Sequence, residues 1–218
     1  MPDYSTELPD YAKNAPWRFR PILLAMVDMR DWLFRYSAIN LLWFVLSLTI
    51  ILLPPATIGL YHVAWHTYYN REPSLKLYIA GMKRYFWQSY IWAFFMLITL
   101  SMGFSALIYY TTHEIFIGIV FSVVISMLLL GGLFHYLPYL VLEKHAFKAL
   151  KLSVFTALAD PLTILIYALL MFIFGIPSII VVAPLMFILP IILALIGMYN
   201  LLNWLYNYDR MEGQIREI

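Results

Sequence analysis

Long apolar runs separated by short polar breaks dominate the chain. Four runs are long enough to cross a bilayer as helices: Leu33–Leu53, Tyr85–Tyr110, Ile115–Leu142 and Pro184–Tyr206. A hydrocarbon core of about 30 Å takes about 20 mostly apolar residues in a helix. A fifth run, Pro161–Val182, also has the length and is interrupted by Pro177. A sixth, Ala56–Tyr69, is shorter and follows Pro54-Pro55, which suits a tight turn and then a helix start. The predicted turns are Pro54-Pro55, Thr111–Glu114 and Ser178–Pro184. Proline lacks a backbone donor and disfavours helix just before it. The runs are continuous, not alternating in segments of about ten residues, so they do not read as a transmembrane barrel. The pattern predicts an all-α membrane protein of six transmembrane segments, arranged as three helical hairpins. The alternative is five spans with Ala56–Tyr69 as a half-buried surface segment.

A mixed polar–apolar segment leads into each hairpin: Trp17–Trp32, Ser74–Tyr85 and Glu143–Ala159. In the last, Lys144, Lys148 and Lys151 recur three and four apart, so they share a helix face, with Phe147, Leu150 and Val154 on another. Such amphipathic lead-in helices are expected in the headgroup layer, with the basic face on anionic lipid. The chain then divides into a polar tail over 1–16, one helical membrane domain over 17–210 and a C-terminal tail over 211–218. The spans fall at about 33–53, 56–69, 85–110, 115–142, 161–182 and 184–206.

Charge sets the orientation. With six crossings, all 14 Lys and Arg fall on one side and the three opposite turns carry none. The positive-inside bias therefore predicts cytoplasmic N- and C-termini. If Ala56–Tyr69 did not cross, Arg71, Lys76, Lys83 and Arg84 would face outward. The first fifteen residues are polar, with three acids and two prolines, and do not read as a secretory signal peptide.

Composition agrees with a lipid solvent: 63% of residues are hydrophobic and 12% charged, against roughly 45–50% and about 25% in soluble domains. The net charge of +2 and the lack of a basic groove or phosphate loop argue against nucleic acid. With no cysteine, disulfides, thiolate metal sites and Cys nucleophiles are excluded.

At 39–48 the chain reads Ile-Asn-Leu-Leu-Trp-Phe-Val-Leu-Ser-Leu, and at 54–61 Pro-Pro-Ala-Thr-Ile-Gly-Leu-Tyr. With Arg71-Glu72, the aromatic and basic stretch Tyr78–Gln88, and Tyr-Leu-Pro-Tyr-Leu-Val-Leu-Glu at 136–143, this resembles the YesL-like family of bacterial integral membrane proteins. The resemblance runs from about residue 30 onward. It implies a bacterial cytoplasmic-membrane protein and an association with carbohydrate uptake, and it supplies no catalytic residues.

The candidate chemistry is sparse. His62 and His66 lie four apart on one helix face, a spacing that can chelate a metal or offer an axial ligand, but no HExxH pattern or acidic third ligand accompanies them. His66 sits beside Trp65, Tyr68 and Tyr69, where an interfacial polar–aromatic belt is expected, and that reading is favoured over a ligand role. His135 stands alone in the fourth run and reads as hydrogen-bonded to a neighbouring helix. No cofactor and no metal is predicted. Asn40, Asn200 and Asn203 are costly in lipid and are the candidates for a shared intramembrane polar patch. Ser101/Ser105 and Ser122/Ser126 are small pairs four apart, suited to close helix approach. No Ser–His–acid set or carboxylate pair appears, so no enzyme is expected. No Asp, Glu, Lys or Arg falls at apparent bilayer depth, which argues against a proton pump. The leading expectation is a non-catalytic accessory or structural subunit packed beside other membrane-protein subunits in lipid. The alternatives are a transporter or permease component and a haem- or pigment-associated subunit.

Overall fold

The computed structural model describes residues 19–69, 71–162, 165 and 189–216, with side chains described as far as Leu205. Every regular element among them is helical: α1 Arg20–Asp31, α2 Leu33–Ser47, a 3₁₀ turn Ile50–Leu52, α3 Leu53–Tyr68, α4 Leu75–Arg84, α5 Phe86–Thr112, α6 Phe116–Glu143, α7 Ala146–Ala159 and α8 Leu189–Arg216. The expected tail 1–16, the Trp17 start of the first lead-in, most of the 161–182 span and the Ser178–Pro184 turn lie outside the described residues.

The first hairpin turns earlier than the prolines suggested. α2 ends at Ser47, Thr49 is extended at φ −90°, ψ 105°, and its hydroxyl donates to Leu46 O at 2.7 Å. Pro54 and Pro55 sit inside the first turn of α3. The first N–H groups of a helix have no partner within it, so prolines cost nothing there. The break therefore falls upstream of them. Trp43 Nε1 reaches Thr57 Oγ1 at 3.3 Å across the shortened hairpin.

α3 is the centre of the bundle. It packs against α2, α4, α5, α6 and α8, and most of its residues are buried, from Pro54 through Thr67. A half-buried surface segment does not describe it. Its glycines permit the approach of α4: a Cβ on Gly59 would lie 2.7 Å from the Tyr78 ring, and one on Gly81 would lie 2.5 Å from His62 Cβ.

α5 and α6 are different. With 27 and 28 residues, each spans about 40 Å at roughly 1.5 Å per residue. Both are long and apolar enough to cross a membrane, and only 11% and 28% of their most apolar windows are buried. A core helix of a water-soluble fold would be covered. Here Leu97, Leu100, Phe104, Phe116, Phe121 and Leu129 are all bare. This exposed apolar arm supports a membrane protein.

The lead-in helices fold back on the bundle instead of standing off it. α4 packs along α3, α7 along α6, and α1 along α8. α7 turns its small face, Ala149, Ser153 and Thr156, to α6. Tyr139 Oη and Thr156 Oγ1 are 2.6 Å apart, and a Cβ on Gly132 would meet Ala157 Cβ at 3.2 Å. Phe147, Val154 and Leu158 face outward with Lys148 and Lys151. The basic segments share one end of the bundle. Tyr85 Oη donates to Val141 O at 3.2 Å, Gln88 Nε2 donates to Lys144 O at 3.4 Å, and Arg35 pairs with Glu72. The Tyr85 bond also satisfies one of the carbonyls that the C-terminus of α6 leaves open.

Candidate functional site

Each lead-in helix ends in the same way. The N–H groups of Trp32, Tyr85 and Asp160 donate to Asp28 O, Gly81 O and Thr156 O at 2.9, 3.1 and 3.0 Å. Trp32 and Tyr85 have nearly equal dihedrals, φ −119°, ψ 23° and φ −109°, ψ 17°. At each joint the accepting residue touches a ring on the neighbouring helix: Asp28 on Tyr199, Gly81 on His62, Thr156 on Tyr139. Three joints of one design thus hold a glycine, a threonine and an acid.

Asp28 gives the acid joint chemistry that the others lack. It sits half-buried on the inner face of α1, level with the buried Pro21, Ala25 and Met29. Tyr199 on α8 donates its phenolic hydrogen to Asp28 Oδ2. Tyr68 on α3 stacks edge-on against Tyr199, with centroids 5.2 Å apart. Tyr36 on α2 is fully buried nearby, its hydroxyl without a well-formed hydrogen bond, with Thr67 and Asp28 as its polar neighbours. Burial pushes the Asp28 carboxyl up to about 6; the Tyr199 hydrogen bond pulls the other way and the Asp31 charge adds to the rise. Such a group changes charge near neutral pH.

Sequence reasoning passed over Asp28 because its partner lies 171 residues away and its segment reads as a surface lead-in. A signal was present. Asp28 falls at helical spacing with Ala25 and Met29, on the apolar stripe of α1. A second signal is the recurrence of Gly–apolar–aromatic–His/Asn at 59–62, 132–135 and 197–200, one copy in each of α3, α6 and α8.

Two of the expected polar candidates meet. Asn200 Nδ2 donates to His135 Nε2 at 3.2 Å, and His135 Nδ1 donates to Gly131 O at 2.9 Å. His135 thus has both ring nitrogens engaged by protein groups. Asn200 Oδ1 is buried without a partner among the described residues. Asn40 lies elsewhere: its Oδ1 accepts from Ile191 N at 3.2 Å, on α8. Residues 191 and 200 stand about 13 Å apart along that helix, so Asn40 and Asn200 serve two levels of it. Asn203 has a partner of its own.

His62 and His66 do lie together, with ring centroids 4.6 Å apart. Each has a local partner: His62 Nδ1 lies 3.1 Å from Leu77 O, and His66 Nδ1 lies 3.3 Å from Arg71 Nη1. Trp65 packs edge-on against His66 and Tyr69. Among the described residues no group of three His, Asp or Glu side chains is arranged to hold a metal.

No curated protein and no solved structure matches the chain. A family model described as a protein of unknown function, DUF624, matches residues 36–107, the stretch running from α2 into α5.

Proposed function

We propose that the protein is a non-catalytic membrane subunit that docks beside another membrane protein through the α5–α6 arm. The observation that carries this reading is the bare arm itself, with Ser101 and Ser105 exposed four residues apart on α5. Small hydroxyl residues at that spacing let a second helix approach closely in lipid. In this reading the chain crosses six times, with both termini cytoplasmic, in a bacterial inner membrane, and the basic end meets anionic headgroups. The gathering of Arg35, Arg84 and Lys144 at one end of the bundle supports that orientation. YesL-like proteins carry the domain that matches residues 36–107, which supports the resemblance.

The test is purification from native membranes in mild detergent, followed by cross-linking from single cysteines placed at Ser101 or Ser105. A partner recovered in fixed ratio and captured at those positions is the expected result. A lone monomer that cross-links to nothing at either position contradicts the proposal.

A second reading has its own support. The three similar joints, and the buried His135–Asn200 pair between α6 and α8, suit a transporter component, since carriers are often built from repeats around a polar centre. Association of YesL-like proteins with carbohydrate uptake points to sugars. Uptake by reconstituted vesicles that is lost on Asn200→Leu supports this reading. Vesicles inert toward a broad sugar panel count against it.

A further inference from the structure

We infer that Asp28, Tyr36, Thr67 and Tyr199 form a proton-binding site that controls how firmly the first helix docks on the last. With a proton on Asp28, α1 is seated on α8; without it, the joint loosens.

Gly81 and Thr156 occupy the position of Asp28 and carry no charge at any pH. Only at the joint that brings α1, from the beginning of the described chain, to α8, at its end, is the accepting residue itself ionisable. Among the described residues, the groups about that carboxyl are Asp31 on its own helix, Tyr36 on α2 and Tyr199 on α8, with Thr67 beside Tyr36 and Tyr68 beside Tyr199 on α3. None of these is a cation. The nearby Arg30 is exposed and bonds to Asp31 at 2.9 Å. A half-buried carboxylate whose one hydrogen-bond donor among the described residues is a phenol is poorly compensated. The neutral acid is not, because it donates as well as accepts. The incompletely bonded Tyr36 phenol beside it offers an acceptor oxygen, and Thr67, whose hydroxyl hydrogen is given to Val63 O at 3.2 Å, sits against that phenol.

The direction follows from linkage. The docked carboxyl titrates at about 6, above its ordinary value of 3.8. The docked state therefore holds its proton more tightly than the opened one. Its added stability is complete below about 3.8 and is lost as pH rises through about 6. This inference is independent of the proposed partner and of the transport reading, because it needs only the α1–α8 contact.

The chain has no cysteine of its own, so spin labels can be placed singly at Met26→Cys on α1 and Lys151→Cys on α7, both exposed. Distances between them are measured in the full-length protein in nanodiscs from pH 4.5 to 8. A narrow distribution at low pH that broadens with a midpoint near 6 is expected. Asp28→Asn, which imitates the protonated acid, holds the narrow form throughout. Thr156→Asp, which moves the acid to the α6–α7 joint, gives that joint a pH response. Infrared titration supplies a readout independent of the variants' folding: a protonated-carboxyl band disappears with the same midpoint, and Tyr199→Phe, by removing the donor that favours the anion, moves it upward. A distribution that ignores pH while Asp28 is present, or one that still responds in Asp28→Asn, overturns the inference. So does the absence of a carboxyl band titrating in that range.

Discussion

The α2–α3 hairpin and the α5–α6 hairpin look alike in sequence, yet the fold treats them in opposite ways. The first is short, and its second helix, α3, is buried while α2 keeps Phe34, Leu41 and Val45 exposed. α3 has 16 residues, about 24 Å of helix, and touches five other helices. The second is long and bare, with most of its outer half uncovered from Leu97 to Leu129. The difference lies in small residues and their placement. Gly59 and Gly81 bring α3 and α4 close enough that side chains lock. On α5 and α6 the contact with each other is made along one seam, by Gly103 and Ser126, and large apolar side chains cover the rest. Apolar content tells where lipid is tolerated; the positions of small and polar residues tell which helix protein encloses.

That contrast can be broken by substitution, and the largest effect is expected at the α3–α4 crossing. Gly81→Leu drives a side chain into His62 and is expected to abolish folded protein in detergent, while Gly103→Ala meets the Ser126 side chain alone, its rotatable hydroxyl at 2.5 Å and its Cβ at 3.3 Å from the added carbon, and is tolerated. Yield and monodispersity on size exclusion read the difference. Next comes cavity formation. Leu60→Ala in α3 is expected to cost about 2–5 kcal/mol, and Leu100→Ala on the arm to leave the melting midpoint almost unmoved. Equal losses at both sites would remove the distinction between the hairpins.

The buried pair on α6 and α8 is a third test. Asn200→Leu strands the His135 ring, at about 1–3 kcal/mol for an unsatisfied buried group. His135→Leu strands Asn200 in turn, and the double variant is expected to lose less than the sum. Simple additivity in the thermal melts would mean that the two side chains do not interact. The smallest effect is expected at the surface, where Lys148→Ala removes an exposed pair with Glu143 and should change stability by under about 1 kcal/mol.

Much of this architecture was legible in the residues. Continuous apolar runs marked α5 and α6 almost to their ends, because nothing but helix satisfies a long apolar backbone in lipid. The common end for Arg84 and Lys144 followed from the charge pattern. The turn before α3 did not. Pro54 and Pro55 read as a break, although a helix accepts proline in its first turn at no cost. The folding back of α7 was also hidden, since Ala149, Ser153 and Thr156 form a small face that hydrophobic patterning undervalues. Asp28 was illegible for a third reason: its burial depends on α8, and no local pattern reports a contact made with the far end of the chain.

The central claim is that lipid covers the outer half of α5 and α6. Single cysteines at Leu97, Phe104 and Phe121 in this cysteine-free chain, spin-labelled in nanodiscs, test it through collisions with oxygen and with a water-soluble nickel chelate. The account predicts strong oxygen broadening and almost no effect of nickel at all three sites, with the reverse at Lys148→Cys. Free access of the chelate to the arm would contradict it.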